Sequence, residues 1–168
     1  FFNLFKDCTS LMTAPELPAM SLAQNCYRYM FNGCSSLVTA PYLPAMSLAQ
    51  NCYSYMFNNC TSLVNAPELP AMTLAASCYR LMFYGCKSLI TAPELPAMSL
   101  EQFCYMFMFG DCTSLNEVTM LATDISANNC LNDWLSNVSA TGDFYCPAEL
   151  TIPMGSSGIP SGWTRHDI

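Results

Sequence analysis

The sequence predicts an α/β solenoid, one short parallel strand and one short helix per 26-residue repeat, with a non-repeat C-terminal cap. Three observations predict it. Cys8, Cys34, Cys60, Cys86 and Cys112 recur every 26 residues, and Cys26, Cys52, Cys78, Cys104 and Cys130 repeat with the same period. Between them, Ser36-Leu37-Val38-Thr39-Ala40 is a short, partly β-branched run of the kind that suits a strand. Beyond it, Leu48, Cys52, Met56 and Cys60 follow at a spacing of four, with Tyr53 and Phe57 alongside, which reads as one face of a helix.

The strand reading rests on Pro41 and Pro44, which forbid a helix there and limit the strand to a few residues. Ser47 stands where a helix N-cap belongs, and Asn32-Gly33 of the preceding repeat supplies a helix stop, since both residues tolerate the left-handed conformation. A strand and a two-turn helix cannot bury their apolar faces alone. Stacked, they can, with strands about 4.8 Å apart along the array.

Four close copies run over residues 8–33, 34–59, 60–85 and 86–111, the first two differing at five of 26 positions. A fifth, 112–137, keeps both Cys and Leu115 but loses the Ala-Pro and Leu-Pro-Ala signatures. Residues 1–137 are therefore read as the solenoid and 138–168 as the cap. The cap is expected to form strands and turns over the last repeat, because an open sheet edge invites further strands. Phe5-Lys6-Asp7-Cys8 aligns with Phe31-Asn32-Gly33-Cys34, so residues 1–7 look like the tail of an earlier unit. With no initiator Met and no signal segment, the chain reads as a mature product or an excised fragment.

Composition narrows the function. Apolar residues are 52% and charged residues 10%, which excludes a disordered, highly charged chain. The net charge of -7 argues against a nucleic-acid partner and against an anionic membrane surface. No window reaches the roughly 18 apolar residues that membrane insertion requires.

The eleven Cys suggest metal, disulfides or core packing. Their spacings of 18 and 8, with His166 the single His, fit no metal-ligand pattern. Cys26 and Cys34 at opposite ends of one helix would stand about 12 Å apart, beyond the roughly 7 Å that a bridge allows. The favoured reading is a ladder of small buried hydrophobes. Both Met columns, Met20/46/72/98 and Met30/56/82/108, read as core filler, and Tyr27, Tyr53, Tyr79 and Tyr105 as half-buried packing with hydroxyls in water.

Positions that vary within a conserved-looking repeat mark an exposed face. One column is Glu16, Tyr42, Glu68 and Glu94, beside the strand; a second is Arg28, Ser54, Arg80 and Met106, on the expected helix; a third is Met12, Val38, Val64 and Ile90. Glu16, Tyr42, Glu68, Glu94, Arg28 and Arg80 are the candidate ligand-binding residues. Glu68 and Glu94 on adjacent strands would make a weak cation site at most, so no metal or other cofactor is expected. No catalytic residue is expected either: His166 is the third residue from the C-terminus, between Arg165 and Asp167, where a mobile end is expected, and no phosphate-binding loop is present.

The form Met30-Phe31-Asn32-Gly33-Cys34-Ser35-Ser36-Leu37 resembles the BspA-like leucine-rich repeats of bacterial surface proteins, over about residues 5–137. The end is also similar, in Trp134 to Gly142 and in Gly158-Ile159-Pro160-Ser161-Gly162-Trp163-Thr164. The Ala-Pro-x-Leu-Pro-Ala segment, with about three extra residues per unit, departs from that family. The resemblance implies a leucine-rich-repeat fold and a secreted or surface-exposed, non-enzymatic adhesion module recognising protein or glycan. The alternative is a spacer or assembly subunit of a larger surface, filament or phage structure, self-associating end to end through the N-terminal edge.

Overall fold

The structure, a computed structural model, describes all of residues 1–168. It contains no helix, which overturns the α/β leucine-rich-repeat expectation. The regular elements are three short strands, β1 (Glu117–Thr119), β2 (Gly142–Cys146) and β3 (Trp163–Asp167), forming one parallel sheet in the order β1-β2-β3. Val118 registers with Phe144, and Phe144 with Arg165. The strand foreseen around Leu37-Thr39 shrinks to isolated bridges, Thr13 to Thr39 and Thr39 to Asn65, because the prolines beside it remove ladder donors.

The segments foreseen as helices are instead arcs of consecutive β-turns. In Ala49 to Cys60, even-numbered amides close turns on the carbonyl three residues back: Cys52 on Ala49, Ser54 on Asn51, Met56 on Tyr53, Asn58 on Tyr55 and Cys60 on Phe57. Odd-numbered amides point out of the coil to the next: Asn51 to the Ala76 carbonyl, Tyr53 to Cys78, Tyr55 to Arg80, Phe57 to Met82 and Asn59 to Tyr84. Beyond its first turn a helix would consume its amides internally. Here half of them tie coil to coil.

Every fourth arc residue has positive φ: Asn51 at 55°, Tyr55 at 59° and Asn59 at 59°. Each is the third residue of its turn, the position where a type II turn demands positive φ. Asn, Asp and Gly account for many of these positions, and Gly33 and Gly85 stand at φ 76° and 73°. Leu81 and Phe107 adopt φ of 51° and 53° without that excuse. Such residues bear about 1 to 2 kcal/mol of strain each, held in place because both hydrogen-bond sets fix the same backbone.

The spacing of four is thus a property of paired turns. A true helix would swing a spacing-four stripe by about 40° per step, because its period is 3.6. The turn pairs repeat without drift, sending Cys52, Tyr53, Met56, Phe57 and Cys60 inward, all at most 1% exposed.

Identical residues then stack into ladders. Phe5, Phe31, Phe57, Phe83 and Phe109 stack at 5.5–5.6 Å with nearly parallel rings. Tyr27, Tyr53, Tyr79 and Tyr105 stack at 6.0 Å. Offset stacking contributes roughly 0.5 to 1.5 kcal/mol per pair beyond area burial. These tyrosines are buried rather than wetted, at 1–4% exposure, and the Tyr53 hydroxyl has no partner. Both ladders end on Trp134, whose larger ring meets Tyr105 and Phe109. Its indole N–H donates to the Gly158 carbonyl at 2.9 Å, so the segment after β2 closes the last coil.

Candidate functional site

The thiols are structural. All eleven Cys are free, and from Cys34 onward every one is buried. The thiols of Cys34, Cys60, Cys86 and Cys112 donate to the carbonyls of Phe5, Phe31, Phe57 and Phe83 at 3.0–3.2 Å. Each thus ties its coil to the preceding one, a task for a small apolar residue with one weak donor. Burial pushes the Cys52, Cys104 and Cys112 thiols up to about 12, and Cys78 and Cys86 well above their ordinary value. Thiols held neutral in this way are poor nucleophiles. Cys8, on the first coil, is the exposed exception.

The six residues singled out from variability fall on two different sides of the coil. Glu16, Tyr42, Glu68 and Glu94 are exposed on the flat, Pro-rich side. Glu16 and Tyr42 line a groove of about 450 Å³ between the first two coils, floored by Leu17 and Pro41. Glu68 and Glu94 line a second of about 350 Å³ with Leu69 and Pro93. The prolines make these grooves, since coil-to-coil amide bonds are sparse along this side.

Arg28 and Arg80 lie on the turn arc, and the expectation that their column is exposed is corrected: both are half-buried and Ser54 is buried at 1% exposure. The Arg28 guanidinium lies 4.9 Å over the Tyr29 ring. The Nε atoms of Arg28 and Arg80 are buried without acceptors. Tyr29 and Tyr55 stack at 4.4 Å beside them. Burial pushes the Tyr55 hydroxyl up, with Arg80 acting in the opposite sense. These arginines pack on the arc and do not join the carboxylates.

The flat side carries more than the carboxylates. Met12, Val38, Val64 and Ile90 are 39–63% exposed, as a varying column should be. Met20, Met46, Met72 and Met98 are 48–64% exposed, which corrects their reading as core filler; of the two columns, only Met30, Met56, Met82 and Met108 are buried. The Met46 column follows the buried Ala45 column, and nothing in the local pattern marked it as outward. Ser47 bridges to Thr73 as part of this side and caps no helix. Eight large apolar side chains thus stand in two exposed columns with the acidic column between them in sequence. Isolated exposed apolar residues are ordinary, but the same exposure repeated at one position of every coil is the pattern of an interaction surface.

At the C-terminal end, His166 is held rather than mobile. Its Nε2 lies 2.7 Å from the Asp143 carboxylate, and its ring stacks on Tyr145 at 4.7 Å. Arg165 bonds Asp167 and the carbonyls of Pro147, Ala148 and Leu150. These contacts pin β3 over the cap.

Comparison with protein-family models, with curated proteins and with solved structures gave no match.

Proposed function

We propose that the chain is a non-enzymatic binding module that engages a protein through the flat, Pro-rich side of its coils. The observation that carries this reading is the pair of exposed apolar columns, Met12/Val38/Val64/Ile90 and Met20/Met46/Met72/Met98, which flank the exposed Glu16, Tyr42, Glu68 and Glu94 in sequence. Repeat arrays use such extended faces to bind. Exposed Met suits them because its flexible, polarisable side chain adapts to a partner. The acidic column and the net charge of -7 favour a partner with basic residues among apolar ones. A protein is favoured over a glycan because Tyr42 is the single aromatic residue in the four-membered acidic column. An extracellular or cell-surface setting on a bacterium, which the sequence resemblance implies, belongs to the same proposal. Burial of the thiols is compatible with it, since it protects them from oxidation.

The test is binding of the isolated chain to an array of extracellular-matrix proteins and glycans, beside a Met46→Ser, Met72→Ser, Glu68→Gln variant. These side chains are exposed, so the variant keeps its thermal midpoint. A saturable protein hit, weakened by salt and lost in the variant, is the expected result. A hit the variant retains, or binding to glycans alone, refutes the proposal.

A further inference from the structure

The two ends of the coil stack differ. At the C-terminal end the last arc is covered: the Leu135 amide donates to the Ser156 carbonyl, the Asp133 amide to the Ser157 hydroxyl and the Trp134 indole to the Gly158 carbonyl. At the N-terminal end nothing covers the first coil. Phe1, Leu4, Phe5, Leu17, Tyr27 and Met30 line an apolar recess of about 550 Å³. Phe1 and Phe5 are the first rungs of the two aromatic ladders, stacked on Tyr27 and Phe31 with their other faces unstacked.

The backbone of this face carries a directional pattern. Within the stack, the carbonyls of Arg28, Met30 and Asn32 each accept an amide from the coil before, from Asn3, Phe5 and Asp7. The equivalent carbonyls 26 residues earlier, of Phe2, Leu4 and Lys6, accept none. On the Pro-rich side the bonds run in both directions, the Ala14 amide donating forward to the Thr39 carbonyl. The Val38 and Thr39 amides donate back to Met12, whereas the equivalent Met12 and Thr13 amides have no acceptor. The face thus offers three carbonyls on the arc and two amides on the flat side, beside an apolar recess.

We propose that this N-terminal face is a docking surface for one further coil of the same repeat, running in the same direction and entering Phe1 as Cys52 enters Tyr53. Such a coil presents outward amides at the copies of Tyr29, Phe31 and Gly33, spaced to meet the Phe2, Leu4 and Lys6 carbonyls. It also brings a Phe and a Tyr that extend both ladders. A second copy of this chain fits worse. Its own open face carries the same carbonyl row, which would meet carbonyls, and its other end is closed by residues 153–159. The proposal stands independently of whether the flat side binds a partner.

Cys8 reports on the face. It is exposed, whereas its equivalents Cys34, Cys60, Cys86 and Cys112 are 0% exposed. The experiment joins a copy of residues 27–52 directly ahead of Phe1, with a scrambled segment of the same composition as control. Alkylation of Cys8 is followed by peptide mass spectrometry under native conditions. Docking slows Cys8 labelling at least about tenfold, because access then requires the coil to open, and raises the thermal midpoint; the scrambled control does neither. Unchanged Cys8 labelling in the fusion overturns the proposal. So does protection by the scrambled segment. Light scattering supplies the remaining arm: a dimer of the original chain with Cys8 already protected would make a second copy the occupant and overturn the assignment.

Discussion

Replacing Asn129 by Ala and by Gly distinguishes an arc of turns from a helix by the sign of one difference. Asn129 has φ of 53° and is exposed on the last arc, so the extra methyl of Ala gains little burial. In the left-handed conformation Ala bears about 1 to 2 kcal/mol of steric cost that Gly escapes. Gly gives back about 0.4 to 1 kcal/mol through its freer unfolded chain. The Gly variant should therefore be the more stable by roughly 1 kcal/mol. In a helix the order reverses, with Ala favoured by about 1 kcal/mol. The swing between the two cases is about 2 kcal/mol, and each kcal/mol corresponds to about 2 to 4 °C in thermal midpoint for a chain of this size. Thermal unfolding followed by circular dichroism measures it, and the same spectra should lack a helical signature. An Ala variant more stable than the Gly variant would refute the turn-arc argument.

Gly85→Ala should cost roughly 1 to 3 kcal/mol in urea unfolding, because φ is 73° and the new Cβ would overlap the Asn59 carboxamide of the coil before. Trp134→Phe should cost roughly 2 to 4 kcal/mol, since it leaves the buried Gly158 carbonyl without its indole donor and shortens the ring that ends both ladders; chemical denaturation and exposure of Trp163 fluorescence read it. Alkali should unfold the protein steeply. The buried thiols have pKa values raised above those of the unfolded chain, so the stability they contribute is complete below about pH 9 and declines as pH rises toward 12. Cys52, Cys104 and Cys112 alone remove about 4 kcal/mol per pH unit in that window. With Cys8 and Cys26 alkylated beforehand, thiolate absorbance should appear together with loss of circular dichroism, and buried thiolate forming in a still-folded chain would contradict it.

Much of the inward-facing chemistry was legible in the sequence. The 26-residue period locates the Cys and Phe columns, and both are buried ladders. Leu37, Leu63 and Leu89 point inward at 0% exposure, as the repeated Ser-Leu implies. The arcs were misread because a spacing of four over a dozen residues satisfies both a short helix and a series of turn pairs. The signal that separates them is the second residue set. Asn25, Asn51 and Asn129, with Gly33, Asn59 and Gly85, recur at intervals that place an Asn or Gly every eight residues along an arc, too often for a helix interior. Tyr55, Leu81 and Phe107, midway between them, hide the same backbone behind side chains that ordinarily avoid it. Among the proposed binding residues, Glu16, Tyr42, Glu68 and Glu94 share the flat side, while Arg28 and Arg80 lie on the arc. Variation alone could not separate them, because an arc position is half-shielded by neighbouring coils even where the repeat tolerates change.

The near-identity of the repeats has a physical basis in how the arc satisfies its backbone. Each coil is both acceptor and donor, with its even carbonyls taking amides from one neighbour and its odd amides going to the other. A change of length or turn type in one coil therefore misplaces hydrogen bonds on both sides, whereas a changed side chain on an outward position misplaces none. That constraint confines variation to the positions where it is seen, Met12/Val38/Val64/Ile90 and Glu16/Tyr42/Glu68/Glu94 among them. It also explains why the ends need different treatment. The stack terminates at its C-terminal end only where the repeat sequence is abandoned, through Trp134 and the segment around Gly158. The first coil keeps the repeat's own residues, Phe5 and Cys8 included, and its Phe2, Leu4 and Lys6 carbonyls accept no amide.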